Sequence, residues 1–203
     1  MKTKTVDLDA DCVCEPRKGA GLRIFETARE LFYKRGIRAV GVDEIVCQAG
    51  VTKPSLYRSY ESKDALVAAC LESYVEESCA EIDAAVDAAG ENPRDQLRAI
   101  VAHYAIQMTS PDFRGCPMSN TAVEFPEHSH PGRPVVEDCK VAFRSRLVEI
   151  TRRMDVREPE ALADGLLMLI EGAYSTHHVF GSQGPALTLV RAADALIGAY
   201  GPR

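Results

Sequence analysis

Residues 42–66, VDEIVCQAGVTKPSLYRSYESKDAL, join two short apolar patterns at Ala49-Gly50-Val51. Val42, Ile45 and Val46 recur at helical spacing before that point, and Leu56 and Tyr60 lie four apart after it. Gly50 can take the left-handed backbone that ends one helix and turns sharply into the next. Thr52 is placed to cap the second helix, and Pro54 falls in the first turn, where its missing N–H costs nothing. The pattern is a helix-turn-helix. The second helix leaves Lys53, Ser55, Tyr57 and Arg58 facing out, all hydrogen-bond donors to phosphate oxygens or base edges.

Upstream, Ile24, Phe25, Ala28, Leu31 and Phe32 repeat at i, i+4, i+7 and i+8 and predict a supporting helix over Leu22–Arg35. Charge is divided along the chain. Residues 17–63 carry ten Lys/Arg against five Asp/Glu, whereas residues 64–203 carry twelve against twenty-one. A basic reader joined to an acidic body that DNA repels would orient the approach to a duplex, even though the net charge is −6.

The run AGVTKPSLYRSYESKDAL, with Ile24, Ala28, Leu31, Phe32 and Gly36 ahead of it, resembles the DNA-binding part of the TetR family of transcriptional regulators over about residues 20–70. Two departures stand out: Gly41 where that family usually caps its second helix with Thr or Ser, and Ser59-Tyr60 in place of the usual His-Phe. Glycine is a tolerable cap. The resemblance implies that Lys53, Pro54 and Ser55 approach bases while Thr52, Tyr57 and Lys63 hold phosphates, with Arg58 and Tyr60 beside them. It also implies a homodimer through a four-helix bundle of the last two helices of each subunit, and most often a repressor. One short helix reads few base pairs, so a two-fold dimer on a pseudo-palindromic operator fits the physics as well.

The rest of the chain reads as helices without strands. Ser62 predicts the cap of a long helix running to about Ala89, with Val67, Leu71, Tyr74, Val75, Ile82 and Val86 on its buried side. Gly90–Pro93 breaks it, and Leu97, Ile100, Val101, Tyr104, Ala105 and Met108 mark the next helix. Pro111–Pro134 is rich in Pro and Gly, holds at most a short helix over Met118–Phe125, and reads equally as a loop over a pocket or a surface connection. Val136, Cys139, Phe143, Leu147 and Ile150 lie in register on a helix over Val135–Arg153. Two further helices follow, Glu160 to about Phe180 and Ala186 to about Tyr200, broken at Gly181–Pro185. On the last, Leu189, Val190, Ala193, Leu196 and Ile197 form one face; from the pattern alone this helix pair fits an internal core and a dimer face equally, and the resemblance implies the dimer face.

The fold class expected is therefore all-α: a mobile arm over 1–18 ending in Arg17-Lys18, a three-helix helix-turn-helix domain over 19–63, and a larger helical effector-binding and dimerisation domain over 64–203. A small-molecule effector would sit among Tyr74, Tyr104, Met108, Phe143 and Tyr174, side chains that can equally be packed core. The seven cysteines, at 12, 14, 47, 70, 79, 116 and 139, are odd in number and lack CxxC pairing, which points to reduced thiols and, with no signal core, to the cytoplasm. No apolar run is long enough to span a membrane. No phosphate loop, nucleophile elbow or zinc pattern points to an enzyme or a cofactor. His177-His178 are adjacent and point about 100° apart on a helix, which argues against a shared metal. Two alternatives remain beside the effector-released regulator: a redox sensor using Cys116, held between Gly115 and Pro117, and an architectural DNA-binding protein with no effector. A ligand-sized cavity in the body separates the last of these from a regulator.

Overall fold

The computed structural model describes residues 19–201; the N-terminal arm with Arg17 and Lys18 lies outside them. Nine α-helices and no strand are present among the described residues: α1 (Ala20–Arg35), α2 (Val42–Gln48), α3 (Lys53–Ser59), α4 (Lys63–Ala88), α5 (Pro93–Gln107), α6 (Pro117–Glu124), α7 (Gly132–Arg152), α8 (Pro159–Phe180) and α9 (Leu189–Ala199). A 3-10 turn, Gly181–Gln183, lies in the predicted break, and a second, Pro185–Thr188, replaces what the sequence predicts as the first turn of the last helix. None of the described helices is long and apolar enough to cross a membrane.

Local chemistry explains most boundaries. Ser62 accepts a 3.0 Å bond from the Ala65 N–H and starts α4, while Asn92 accepts 2.9 Å from Arg94 N and starts α5 ahead of Pro93. Gly36 (φ 88°) and Gly50 (φ 62°) take the left-handed backbone after α1 and between α2 and α3. Thr52 occupies the cap position of α3, yet its hydroxyl bonds the Ser55 hydroxyl at 3.0 Å and caps no backbone N–H.

The apolar interior falls into two clusters. One packs Ile24, Ala28, Ile45 and Leu56 of the first three helices, and Val40 between α1 and α2, with Leu66, Val67, Cys70 and Leu71 of α4, Met118 of α6 and Val136 of α7. The other gathers Leu97, Ile100 and Val101 of α5, Leu147 of α7, Leu162, Leu166 and Ile170 of α8 and Ala193 and Ile197 of α9. Helix α4 serves both, with Leu66 to Leu71 in the first and Ile82 and Val86 in the second.

The expected face of the last helix needs correcting. Leu189, Ala193 and Ile197 are buried at 3%, 2% and 1% exposure within their own chain, so that stripe is internal core. The outward side of α8 instead carries Met168, Gly172 and Val179, and Leu187 lies just before α9. Met168, Val179 and Leu187 are 69%, 76% and 64% exposed. Nothing lies within 4 Å of a methyl built on Gly172 or Gly198. The periodicity was right, but a stripe at 3.6 spacing does not say which of two partners covers it.

Candidate nucleic-acid interface and ligand cavity

Leu56 is fully buried and anchors α3 against α1 and α2. Its neighbours on the helix then have to face outward. Tyr57 is about half exposed, and Lys53, Pro54 and Arg58 are exposed with it. Lys53 reaches Asp43 of α2 at 2.7 Å, a surface pair worth little on its own and easily given up to a phosphate. Arg58 donates to the Ser55 hydroxyl at 3.1 Å, so Thr52, Ser55 and Arg58 form one polar chain on the exposed side. Tyr60 is partly buried against the first cluster. Lys63 is also drawn inward: its ammonium donates 2.6 Å to the Ile37 carbonyl and lies 5.8 Å from the Phe32 ring, and burial holds it below the usual lysine range. Of the eight candidate residues, six share one outer surface and two lean against the core.

One residue at this end has no obvious mark in the sequence. Arg23 donates to the Ala49 and Gly50 carbonyls at 3.1 and 3.3 Å and so ties the turn between α2 and α3 to the start of α1. A carbonyl receiver is invisible in sequence, because every residue offers one.

The body is hollow. A cavity of about 1060 Å³ lies among α4, α5, α7 and α8. Tyr74, Tyr104, Phe143 and Tyr174 line it, whereas Met108 is packed core outside its wall, 4% exposed. Tyr104 stands edge-on to Phe143 and Tyr174 at 5.4 and 5.7 Å, and Phe113 from the loop before α6 lies 5.0 Å from Tyr174. The Tyr174 hydroxyl donates 2.8 Å to Gln107, and burial pushes both Tyr104 and Tyr174 well above the usual phenol range, so both are hydroxyl donors at neutral pH. The aromatic rings form one part of the wall, and charged side chains such as Lys140, Arg146, Glu149 and Glu171 stand on the rest.

The reader end also contributes to this wall. Arg29 and Tyr33, one turn apart on α1, both line the cavity. The Arg29 guanidinium lies 4.3 Å over the Tyr74 ring and pairs with Glu77 of α4 through both carboxylate oxygens. Tyr33 accepts 2.9 Å from Arg114 N and donates 3.3 Å to the Gly115 carbonyl, just ahead of α6. At the far end of α6, Glu124 accepts 2.9 Å from Arg38 N and fits against Gly36, where an added Cβ would meet it at 2.8 Å. Helix α6 therefore touches the cavity at Cys116–Met118 and the α1–α2 turn at Glu124. Among the described residues, no group of three or more His, Cys, Asp or Glu is arranged to hold a metal.

The model of the bacterial regulatory proteins of the tetR family matches residues 24–70, the stretch that builds α1 to α3 and the start of α4. The architecture agrees over far more of the chain: the crystal structure of SCO4454, a TetR-family transcriptional regulator from Streptomyces coelicolor, superposes with a TM-score of 0.85 at 28% identity, covering 89% of each chain. The chain belongs to the TetR family of transcriptional regulators.

A second TetR-type structure, from Streptomyces avermitilis, gives a TM-score of 0.76 at 28% identity and covers 90% of this chain and 98% of its own. Among curated HTH-type transcriptional regulators, the activator FasR of Mycolicibacterium smegmatis is 37% identical over 89 residues, 44% of this chain. That stretch is only 40% of FasR's own length. The repressor DhaR of a Mycobacterium species is 26% identical over 157 residues, 74% of this chain and 78% of DhaR. The helix-turn-helix of this TetR-family chain is thus a DNA-binding element of a transcriptional regulator.

Proposed function

We propose that this protein is a cytoplasmic, homodimeric regulator that acts by binding and not by catalysis, most often holding a gene off until a small molecule releases it from a pseudo-palindromic operator. Residues 19–63 serve as the DNA-binding domain and residues 64–203 as the effector-binding and dimerisation domain. Lys53, Pro54 and Ser55 face base edges; Thr52, Tyr57 and Lys63 serve phosphates, Lys63 after leaving the Ile37 carbonyl; Arg58 and Tyr60 flank them. The two-fold partner packs on the outer side of α8 and α9, where Met168, Gly172, Val179 and Leu187 offer an apolar, partly small-residue surface.

The single observation that supports effector control is the large cavity with Arg29 and Tyr33 of α1 in its wall. A ligand there touches the helix whose Arg23 holds the turn before α3. An architectural binder has no use for such a space. Gel shifts on duplexes selected from a random pool test the DNA reading. Lys63→Met should weaken all sequences alike and lower the salt slope by about one unit, while Lys53→Met or Ser55→Ala should change the preference between sequences. Identical behaviour of both classes would overturn the assigned roles, and failure of the dimer to bind any duplex would overturn the function.

A further inference from the structure

The cavity wall carries nucleophilic chemistry that a purely non-covalent pocket does not need. Cys116, the residue that precedes α6, receives a 3.4 Å hydrogen bond from the Lys140 ammonium of α7. Lys140 also pairs with Glu171 of α8, whose other oxygen accepts 2.8 Å from the Ser119 hydroxyl. Cys116, Lys140 and Glu171 all line the cavity. Burial works against the lysine's charge, but its interactions with Cys116 and Glu171 outweigh it and hold the ammonium above its usual range. A permanently protonated donor on sulfur strengthens its bond as sulfur gains negative charge, and Glu171 fixes the donor in place. The other described thiols differ. Burial pushes Cys70 up to about 12 and also raises Cys139, while Cys47 and Cys79 are exposed.

The surroundings fit an electrophile with a flat body. Tyr104, Phe143, Tyr174 and Phe113 pack together around the space beside this pair. Cys116 is also packed against both apolar clusters, and the carbonyl of the preceding Gly115 is held by Tyr33 of α1. Any group added to its sulfur therefore lands on the seam between reader and body.

We propose that Cys116 is a covalent capture site for soft electrophiles of the α,β-unsaturated carbonyl class, with Lys140 as its activating partner. The Cys116 sulfur gives up its proton to solvent and attacks the β-carbon. The S–C bond forms as the carbon–carbon π bond breaks, and its electron pair moves to the carbonyl oxygen beside the Lys140 ammonium. The enolate then takes one proton from solvent at its α-carbon, so thiol plus alkene becomes a thioether, with no oxidant or reductant. The inference rests on the cavity being the effector site.

The test uses the full chain with trans-cinnamaldehyde, and 3-phenylpropanal as the saturated control, with each cysteine followed by peptide mass mapping. Cys116 should gain the whole mass of one aldehyde at least about tenfold faster than Cys47, the exposed internal standard, and the saturated control should leave it unlabelled. Lys140→Met should bring that ratio close to one, and Lys140→Arg should keep most of it. If Lys140→Met does not fold because Glu171 is left unpaired, the double variant Lys140→Met, Glu171→Gln gives the same reading. Equal labelling of Cys116 and Cys47 in the wild type, or a ratio unmoved by loss of the ammonium, would overturn the proposal. So would an adduct lighter by one water on Lys140, which would be a Schiff base. Labelling is read without DNA: lost selectivity with intact operator binding sinks this proposal alone, and lost operator binding with intact selectivity sinks the regulator reading alone.

Discussion

The two apolar clusters of this molecule are built differently. The reader end is dense, with Ile24, Ala28, Val40, Ile45 and Leu56 at 0% exposure, and a void of about 70 Å³ lies beside it between α1, α4 and α6. The body encloses about 1060 Å³ and leaves phenol hydroxyls and ion pairs on the wall of that space. A tightly packed unit transmits a displacement as a rigid body, whereas a hollow one has room to change shape around a guest. Under the proposed function this difference fits reading of DNA at one end and response at the other, with α1, α4 and α6 touching both.

The largest effect is expected on the body's solid side. Leu189→Arg places a charge among buried neighbours of α5 and α8 and should cost more than about 4 kcal/mol, enough to unfold the body. Met168→Arg, on the exposed outer side of α8, should leave the fold intact and yield a monomer. Circular dichroism and sedimentation read both; a folded monomer from Leu189→Arg would return that residue to the dimer face.

In the reader, Leu56→Ala empties a fully buried site and should cost about 2–5 kcal/mol in denaturant unfolding, with DNA binding weakened in step. A loss under about 1 kcal/mol would mean the reader is not tightly packed. In the hollow region the sign should reverse. Val75→Leu adds a methylene toward the cavity and should raise stability by about 0.5–2 kcal/mol while reducing its capacity for ligands. A destabilised variant would show that the space is already occupied by tightly packed side chains.

The smallest expected effect is on pH. All five histidines lie beyond residue 100, and His103 stands on α5 in the body. Burial, opposed by Glu81, holds His103 below its usual range. The unfolded chain therefore takes up a proton that the folded chain resists. The stability from this group is fully present above about pH 6.5 and falls as pH drops below that value. His103→Gln should flatten that acid limb of thermal unfolding; an unchanged limb would place the response elsewhere.

Much of this was legible beforehand for physical reasons. Helix boundaries at Ser62, Pro93 and Gly90, and the turn at Gly50, follow from local backbone chemistry, and the reader's motif lies within one contiguous stretch. The aromatic wall was legible in part, as Tyr74, Tyr104, Phe143 and Tyr174 came together while Met108 did not. What escaped depends on side chains far apart in sequence: Lys140 with Cys116, Arg29 with Glu77, Glu124 with the Arg38 N–H. The direction of the last helix's stripe escaped too, because Leu189 and Ile197 fit an internal neighbour and a second subunit equally well until packing is known.

In the proposed mechanism cavity and reader share one equilibrium, and coupling between two binding sites must be reciprocal. The decisive measurement takes a compound whose binding to the full-length protein is lost in Tyr174→Ala and titrates it with and without saturating operator DNA. If ligand release of DNA is the mechanism, operator should weaken the compound by about 5- to 150-fold, and the compound should weaken operator by the same factor. Equal affinities in the two titrations would contradict it.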